Sequence, residues 1–152
     1  MPDVMHLIRI RATPERLYTA LSTADGIRNW WTRDADLECR PGGTGEFRFY
    51  DRSRLTRVCV SEATPFARVG WTVVASDAPG GWAGTTILFD LRPENQQVKL
   101  IFAHRGFAAA DEDYALVTTG WAYYLVSLQH YLETGRGAPH PDIDFGRMLS
   151  AH

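Results

Sequence analysis

The sequence predicts an α+β fold, a strongly bent antiparallel sheet closed around one long C-terminal helix, with two short helices after the first strand. Three observations carry this. The middle of the chain holds alternating apolar stretches at hairpin spacing with no helical pattern between them, which disfavours a parallel β-α-β arrangement. A stop at Thr13-Pro14 separates an early strand from a short helical segment. Finally, Tyr114, Val117, Trp121, Leu125, Leu128 and Leu132 recur at three- and four-residue steps, one apolar stripe on a long helix.

Taken in order, Met5 to Arg11 alternates apolar and charged residues and reads as a strand. Thr13 is placed to cap a helix, Pro14 suits its first position, and Leu17 and Leu21 share one face, so a helix is expected over 14–22. A second short helix is expected over 23–29, leading into Trp30-Trp31. Arg40-Pro-Gly-Gly-Thr-Gly45 is turn chemistry, followed by a strand with Phe47 and Phe49 on one face. Strands follow at 54–63, with Val58 and Val60 inward, and at 68–74, with Val69, Trp71 and Val73 together. Past a Gly-rich loop containing Trp82, the 85–92 strand aligns Ile87, Phe89 and Leu91. Pro93 to Gln96 is read as a turn, and the 97–104 strand aligns Val98, Leu100, Phe102 and His104.

The long helix is expected over 113–134, with acids at its positive end and Gly135 just past its close. It would extend roughly 33 Å at 1.5 Å per residue. Gly120, unfavourable inside a helix, suggests a close approach to the sheet. The organisation expected is one domain over 1–135 and a loosely packed Pro- and Gly-rich tail over 136–152.

At 152 residues, core size is not limiting, since about 68–70% of the unfolded surface of such a chain can be buried. Sixteen basic against eighteen acidic residues give little attraction to phosphate backbones or anionic membranes, so nucleic acid and membrane partners are not expected. Two cysteines, Cys39 and Cys59, form neither a disulfide framework nor a zinc motif, as suits a cytoplasmic protein. His6, His130, His140 and His152 lack metal-ligand spacing, and no metal or cofactor is expected. Asp34-Ala-Asp36 reads as solvated charge. The five Trp residues and a 12% aromatic content exceed what a minimal core needs.

The order of elements resembles the START-like, Bet v-like helix-grip superfamily, also called SRPBCC. Ala12-Thr-Pro-Glu15, Trp30-Trp31-Thr32, Gly42-Gly43 before Phe-x-Phe, Pro65 between paired strands ending at Trp71, His104-x-Gly106-Phe107 and Gly120-Trp121-x-x-x-Leu125 narrow the likeness. Together they are similar to the family of the activator of the heat-shock-protein ATPase, over the chain up to Gly135. That resemblance implies a cavity between sheet and helix. The same superfamily hosts carriers, cyclases and chaperone regulators, so the fold alone does not assign a reaction.

Strand parity sends Phe47, Phe49, Trp71, Phe89, Phe102 and His104 to the concave side, facing Trp121 and Leu125 on the helix. With Trp30 and Trp31 at the mouth, these rings are the expected wall of a site for a small apolar or aromatic molecule; the plainer alternative is that they pack on one another. Of the Trp30-Trp31 pair, one ring is expected in the core and the other as a lid, and Trp82 is expected either over the mouth or, in an interaction module, with the 136–152 tail against a chaperone or a second subunit of a homodimer. His104 is the candidate proton shuttle of a cyclase- or dehydratase-type enzyme, or else a hydrogen-bonded core histidine. Glu62 shares parity with Val58 and Val60 and is a candidate to assist it from the rim, or else forms an outward salt bridge.

Overall fold

The computed structural model of the chain describes residues 1–142. Strand β1 (Asp3–Ile10) is followed by helices α1 (Pro14–Ser22) and α2 (Ala24–Arg28), then strands β2 (Asp34–Leu37), β3 (Thr44–Phe49), β4 (Arg54–Thr64), β5 (Arg68–Ser76), β6 (Thr86–Glu94) and β7 (Gln97–Arg105), and helix α3 (Glu112–Thr134). All seven strands form one antiparallel sheet in the order β1-β7-β6-β5-β4-β3-β2. The first strand is thus an edge strand, paired with β7 on one side.

Local chemistry sets the element ends. The Thr13 hydroxyl accepts the Arg16 N–H at the start of α1, and the Thr23 hydroxyl accepts that of Gly26 at the start of α2. Asp111 caps α3 by accepting the Tyr114 N–H, and Gly135 closes it at φ 86°, a left-handed conformation that glycine adopts without a Cβ penalty.

Two features depart from the sequence reading of the sheet. Asp34–Leu37 is a strand, paired with β3, and its acids are tied down: the Arg48 guanidinium reaches Asp34 at 3.0 Å, Asp36 at 2.9 Å and Glu46 at 2.6 Å. Alternation is masked there because charged side chains occupy a sheet face rather than a solvated loop. The expected turn at Pro93 begins later, with β6 running to Glu94; Pro93 sits close to the strand end, where a missing N–H is tolerated.

The helix α3 lies on the concave side, burying Val117, Trp121, Leu125, Leu128 and Leu132 against the sheet. Gly120 does not mark a close approach. A Cβ built there meets nothing within 4 Å, because the residue lies off the buried stripe.

The segment after Gly135 is not loosely attached as far as residue 142. The Ser127 hydroxyl donates to the Trp30 carbonyl and accepts the Ala138 N–H, each at 2.8 Å, and His140 bridges to Thr32 and is buried. A Cβ on Gly137 would come within 2.3 Å of the Asn29 carbonyl oxygen, so this docking requires glycine. The expectation for the rest of the tail, 143–152, lies outside the described residues.

Candidate functional site

Register places the concave rows side by side. Val4, His104, Ile87, Trp71 and Val60 are successive cross-strand partners, with His6, Phe102, Phe89 and Val69 in the next row. Phe47, Trp71, Phe89, Phe102 and His104 are all fully buried, as the alternation predicts, with Trp121 and Leu125 facing them from α3. Phe49 is only partly buried at the edge of this group.

The rings of sheet and helix meet. Trp121 lies 4.5 Å from Phe102 and 5.0 Å from Trp31, centroid to centroid, and Trp31 lies 4.5 Å from Phe47. Trp71 completes the cluster at 5.1 Å from Phe47 and 5.2 Å from Phe89. These are contact distances for aromatic pairs, so the helix reaches the sheet at these rings instead of standing off from it. Trp30 and Trp31 are both buried, and neither is an exposed lid. Trp30 anchors α1 through its indole N–H to the Ala20 carbonyl at 2.9 Å.

Trp82 is not exposed either. Its ring stacks on Trp121 at 6.0 Å and stands edge-on to His104 at 4.6 Å, with its N–H on the Pro79 carbonyl. The loop therefore folds over the ring cluster, which removes Trp82 as an anchor for a second subunit.

His104 is held on both nitrogens. The Trp121 indole N–H donates to Nδ1 at 3.0 Å, so Nδ1 is the unprotonated nitrogen, and Nε2–H is left to donate to the Thr85 hydroxyl at 2.8 Å. The Thr85 hydroxyl in turn donates a hydrogen bond to the Trp82 carbonyl. Burial pushes the imidazole down to about 3, so it is neutral at any physiological pH. No carboxylate partner was visible in the sequence because the partners are an indole and a hydroxyl. A search for charged pairs passes over both.

Glu62 faces away from His104. A bulge between Val60 and Glu62 inserts one residue, so Glu62 pairs with Gly70 and its parity is reversed relative to Val58 and Val60. Its carboxylate holds Arg68 at 3.2 Å and the Thr64 hydroxyl at 3.1 Å on the outer face. The outward salt bridge is what forms.

One buried polar atom in the cluster is unmatched. The Trp71 indole N–H has no hydrogen-bond partner among the described residues, although its ring is fully enclosed. A separate cleft of about 380 Å³ opens between Asn29, Arg33, Arg136 and Pro139 at the C-terminal end of α3. It is polar, and Arg33 is already paired with Asp142 at 2.6 Å. Nothing in the sequence pattern marks it, since it depends on how residues 135–142 fold back. Among the described residues, no three His, Cys, Asp or Glu side chains are grouped to hold a metal, and no helix is long and apolar enough to cross a membrane.

Comparison with known proteins agrees with this architecture. The chain superimposes on the solution structure of the Aha1 dimer from Colwellia psychrerythraea with a TM-score of 0.81 and 35% identity, covering 90% of this chain and 100% of that one. A protein from Staphylococcus saprophyticus (TM-score 0.75, 16% identity, 90% and 95% covered) and one from Micromonospora echinospora (0.69, 15%, 88% and 77%) share the fold. No curated protein matches the sequence. Residues 11–133 match the family described as Activator of Hsp90 ATPase homolog 1-like protein, and the chain belongs to that family.

Proposed function

We propose that this chain is a noncatalytic, dimeric interaction module of the heat-shock ATPase activator kind, working through its outer surface. The observation that carries the reading is the contact of Trp121 with Phe102 and Trp31, which brings helix and sheet together at these rings and narrows the room for a guest there. The locked, neutral His104 gives a cyclase or dehydratase reading no support, because proton transfer to a substrate would first break both of its hydrogen bonds. The Colwellia relative, whose structure is that of an Aha1 dimer, is matched over its whole length by 90% of this chain. Sedimentation equilibrium of the pure protein, with ATPase assays of an Hsp90-class chaperone across a titration, tests the proposal. A dimer and a saturable rise in ATP turnover are expected. A strict monomer with no effect on turnover overturns it.

A second reading is favoured by the orphaned Trp71 N–H: a small apolar or aromatic molecule, carrying one hydrogen-bond acceptor, taken up among the rings. A buried donor without a partner costs about 1–3 kcal/mol, and an acceptor on a ligand would recover it. Displacement of a hydrophobic fluorescent probe by mixed metabolites, with a Trp emission change absent in Trp71→Phe, is the result expected of that reading. No displacement and no emission change removes it.

A further inference from the structure

The edge strand β1 and the outer side of α3 each present exposed, uncharged residues on the same flank of the molecule, where α3 bonds to β1. Between Tyr114 and Leu132 the helix carries no Asp, Glu, Lys or Arg, although Ala115, Thr119, Ala122 and Val126 are exposed on its outer side. A solvent-facing helix side is normally charged, and an uncharged one is the mark of a covered face. Across the sheet edge from it, on the convex face, Met5 and Leu7 project from β1 with 54% and 53% of their surface exposed, since His6 and Val4 take the side that faces α3.

The helix and strand are locked together at both ends of this surface. Tyr114 donates to the Asp3 carbonyl, Gln129 donates to the Arg9 carbonyl, and Glu133 accepts the Arg11 N–H. These bonds show that the odd-numbered backbone groups of β1 point away from β7. By strand alternation the N–H and C=O groups of Met5 and Leu7 point the same way, and no described residue pairs with them. An open, apolar strand edge is a template for another strand.

We infer that a second copy of this chain docks here, with the two β1 strands pairing antiparallel about a two-fold axis at His6 and the uncharged faces of α3 closing alongside. Resting on the dimer reading above, the inference names its surface. The register is self-complementary. Pairing centred on His6 sets Met5 opposite Leu7 of the second copy, both with outward backbone groups, and forms about four new backbone hydrogen bonds. It also brings Asp3 opposite Arg9 at each end of the seam, where Arg9 keeps its pair with Glu94 at 3.0 Å and the Asp3 and Arg9 carbonyls keep their α3 donors, so the new backbone pairing is confined to Met5 and Leu7. A one-residue slip would bring groups already used by β7 to the seam, so the register is fixed by what remains unpaired.

The test uses the full chain and two single variants at exposed positions, Leu7→Lys and Val126→Lys, with Val74→Lys on β5 as a control outside the seam. Sedimentation equilibrium is expected to show a wild-type dimer weakened at least about tenfold by each seam variant and unchanged by the control. Thermal melts at a concentration where all are monomeric should superimpose, excluding misfolding. Hydrogen exchange supplies a second readout: the Met5 and Leu7 amides should be protected in the wild-type dimer and exchange freely in the Leu7→Lys protein. A wild-type monomer overturns the dimer reading as a whole. A dimer that survives either seam variant, or that leaves the Met5 and Leu7 amides unprotected, keeps the dimer and overturns this surface.

Discussion

The Trp121 indole donates its proton to Nδ1 of His104 across 3.0 Å, joining α3 to β7 by a buried hydrogen bond in the middle of the ring cluster. The bond requires a neutral imidazole, because a protonated ring would turn a second N–H toward the indole donor. Unfolding releases the ring to its ordinary value near 6.5 while the folded ring titrates at about 3. The lowered folded value means that the contribution is complete above about pH 6.5 and is lost as pH falls from there toward 3, with the unfolded state taking up the proton. The expected slope is about 1.4 kcal/mol per pH unit from this one group. Urea unfolding at pH 7 and 5.5 measures it. Imidazole NMR is the sharper check, since His104 should keep its neutral Nε2–H signature through pH 5; a titration midpoint near 6.5 would contradict the assignment.

Two Trp→Phe substitutions in the same cluster should behave differently. Trp121→Phe removes ring volume and leaves the His104 Nδ1 acceptor unsatisfied in the core, so a loss of about 2–4 kcal/mol is expected. Trp71→Phe removes similar volume together with an N–H that has no partner among the described residues, so part of the packing loss is offset. Denaturant midpoints should therefore fall clearly further for Trp121→Phe than for Trp71→Phe. Equal losses would mean that the Trp71 donor is satisfied by an ordered water or bound molecule.

Arg48 is the hub of the β2 edge, largely buried between Asp34, Asp36 and Glu46. Burial alone would raise the Asp34 carboxyl, but hydrogen bonds from Arg48 and Arg52 bring it below its usual value, and hydrogen bonds from Arg48 and Arg57 lower Glu46 as well. Lowered carboxyls stabilise the fold above their ordinary range, and that gain is lost as pH falls through their folded values. Arg48→Met leaves three acids without their shared cation and should cost about 1–3 kcal/mol at pH 7, discounted because the acids are partly exposed. The gap to the wild type should narrow below about pH 4 as the carboxylates protonate. A constant gap from pH 7 to 3 would assign the loss to packing alone.

The sequence carried the fold further than it carried the site. The apolar stripe from Tyr114 to Leu132 and the parity of Trp71, Phe89 and Phe102 are periodic signals, and periodicity maps directly onto faces. Of the two options that parity left for Glu62, the inward one fails because a single inserted residue reverses parity without altering composition. Strand β2 was hidden since Asp34 and Asp36 are stabilised by arginines from elsewhere on the chain, a long-range pairing that local propensity does not report. Whether Trp121 touches Phe102 or stands clear of it depends on how closely the helix approaches the sheet. Side-chain spacing along one element cannot fix the distance between two.

Gly120 gives that same lesson a quantitative form. In the sequence, a glycine inside a long helix suggests that something must come close; in the structure, a Cβ at this position meets nothing within 4 Å. With no clash to relieve, only the backbone term remains, and Ala is favoured over Gly in a helix interior by about 1 kcal/mol. Gly120→Ala should therefore raise the melting temperature by about 2–4 °C for a domain of this size. Gly26→Ala supplies the opposite expectation within α2, where the added carbon would fall 2.6 Å from the Ala20 Cα and force the two short helices apart. A differential scanning calorimetry pair settles the sign at each site. A lowered melting temperature for Gly120→Ala would mean that an outside surface presses on that turn of α3, and a raised one for Gly26→Ala would mean that the α1–α2 packing yields more readily than its contacts suggest.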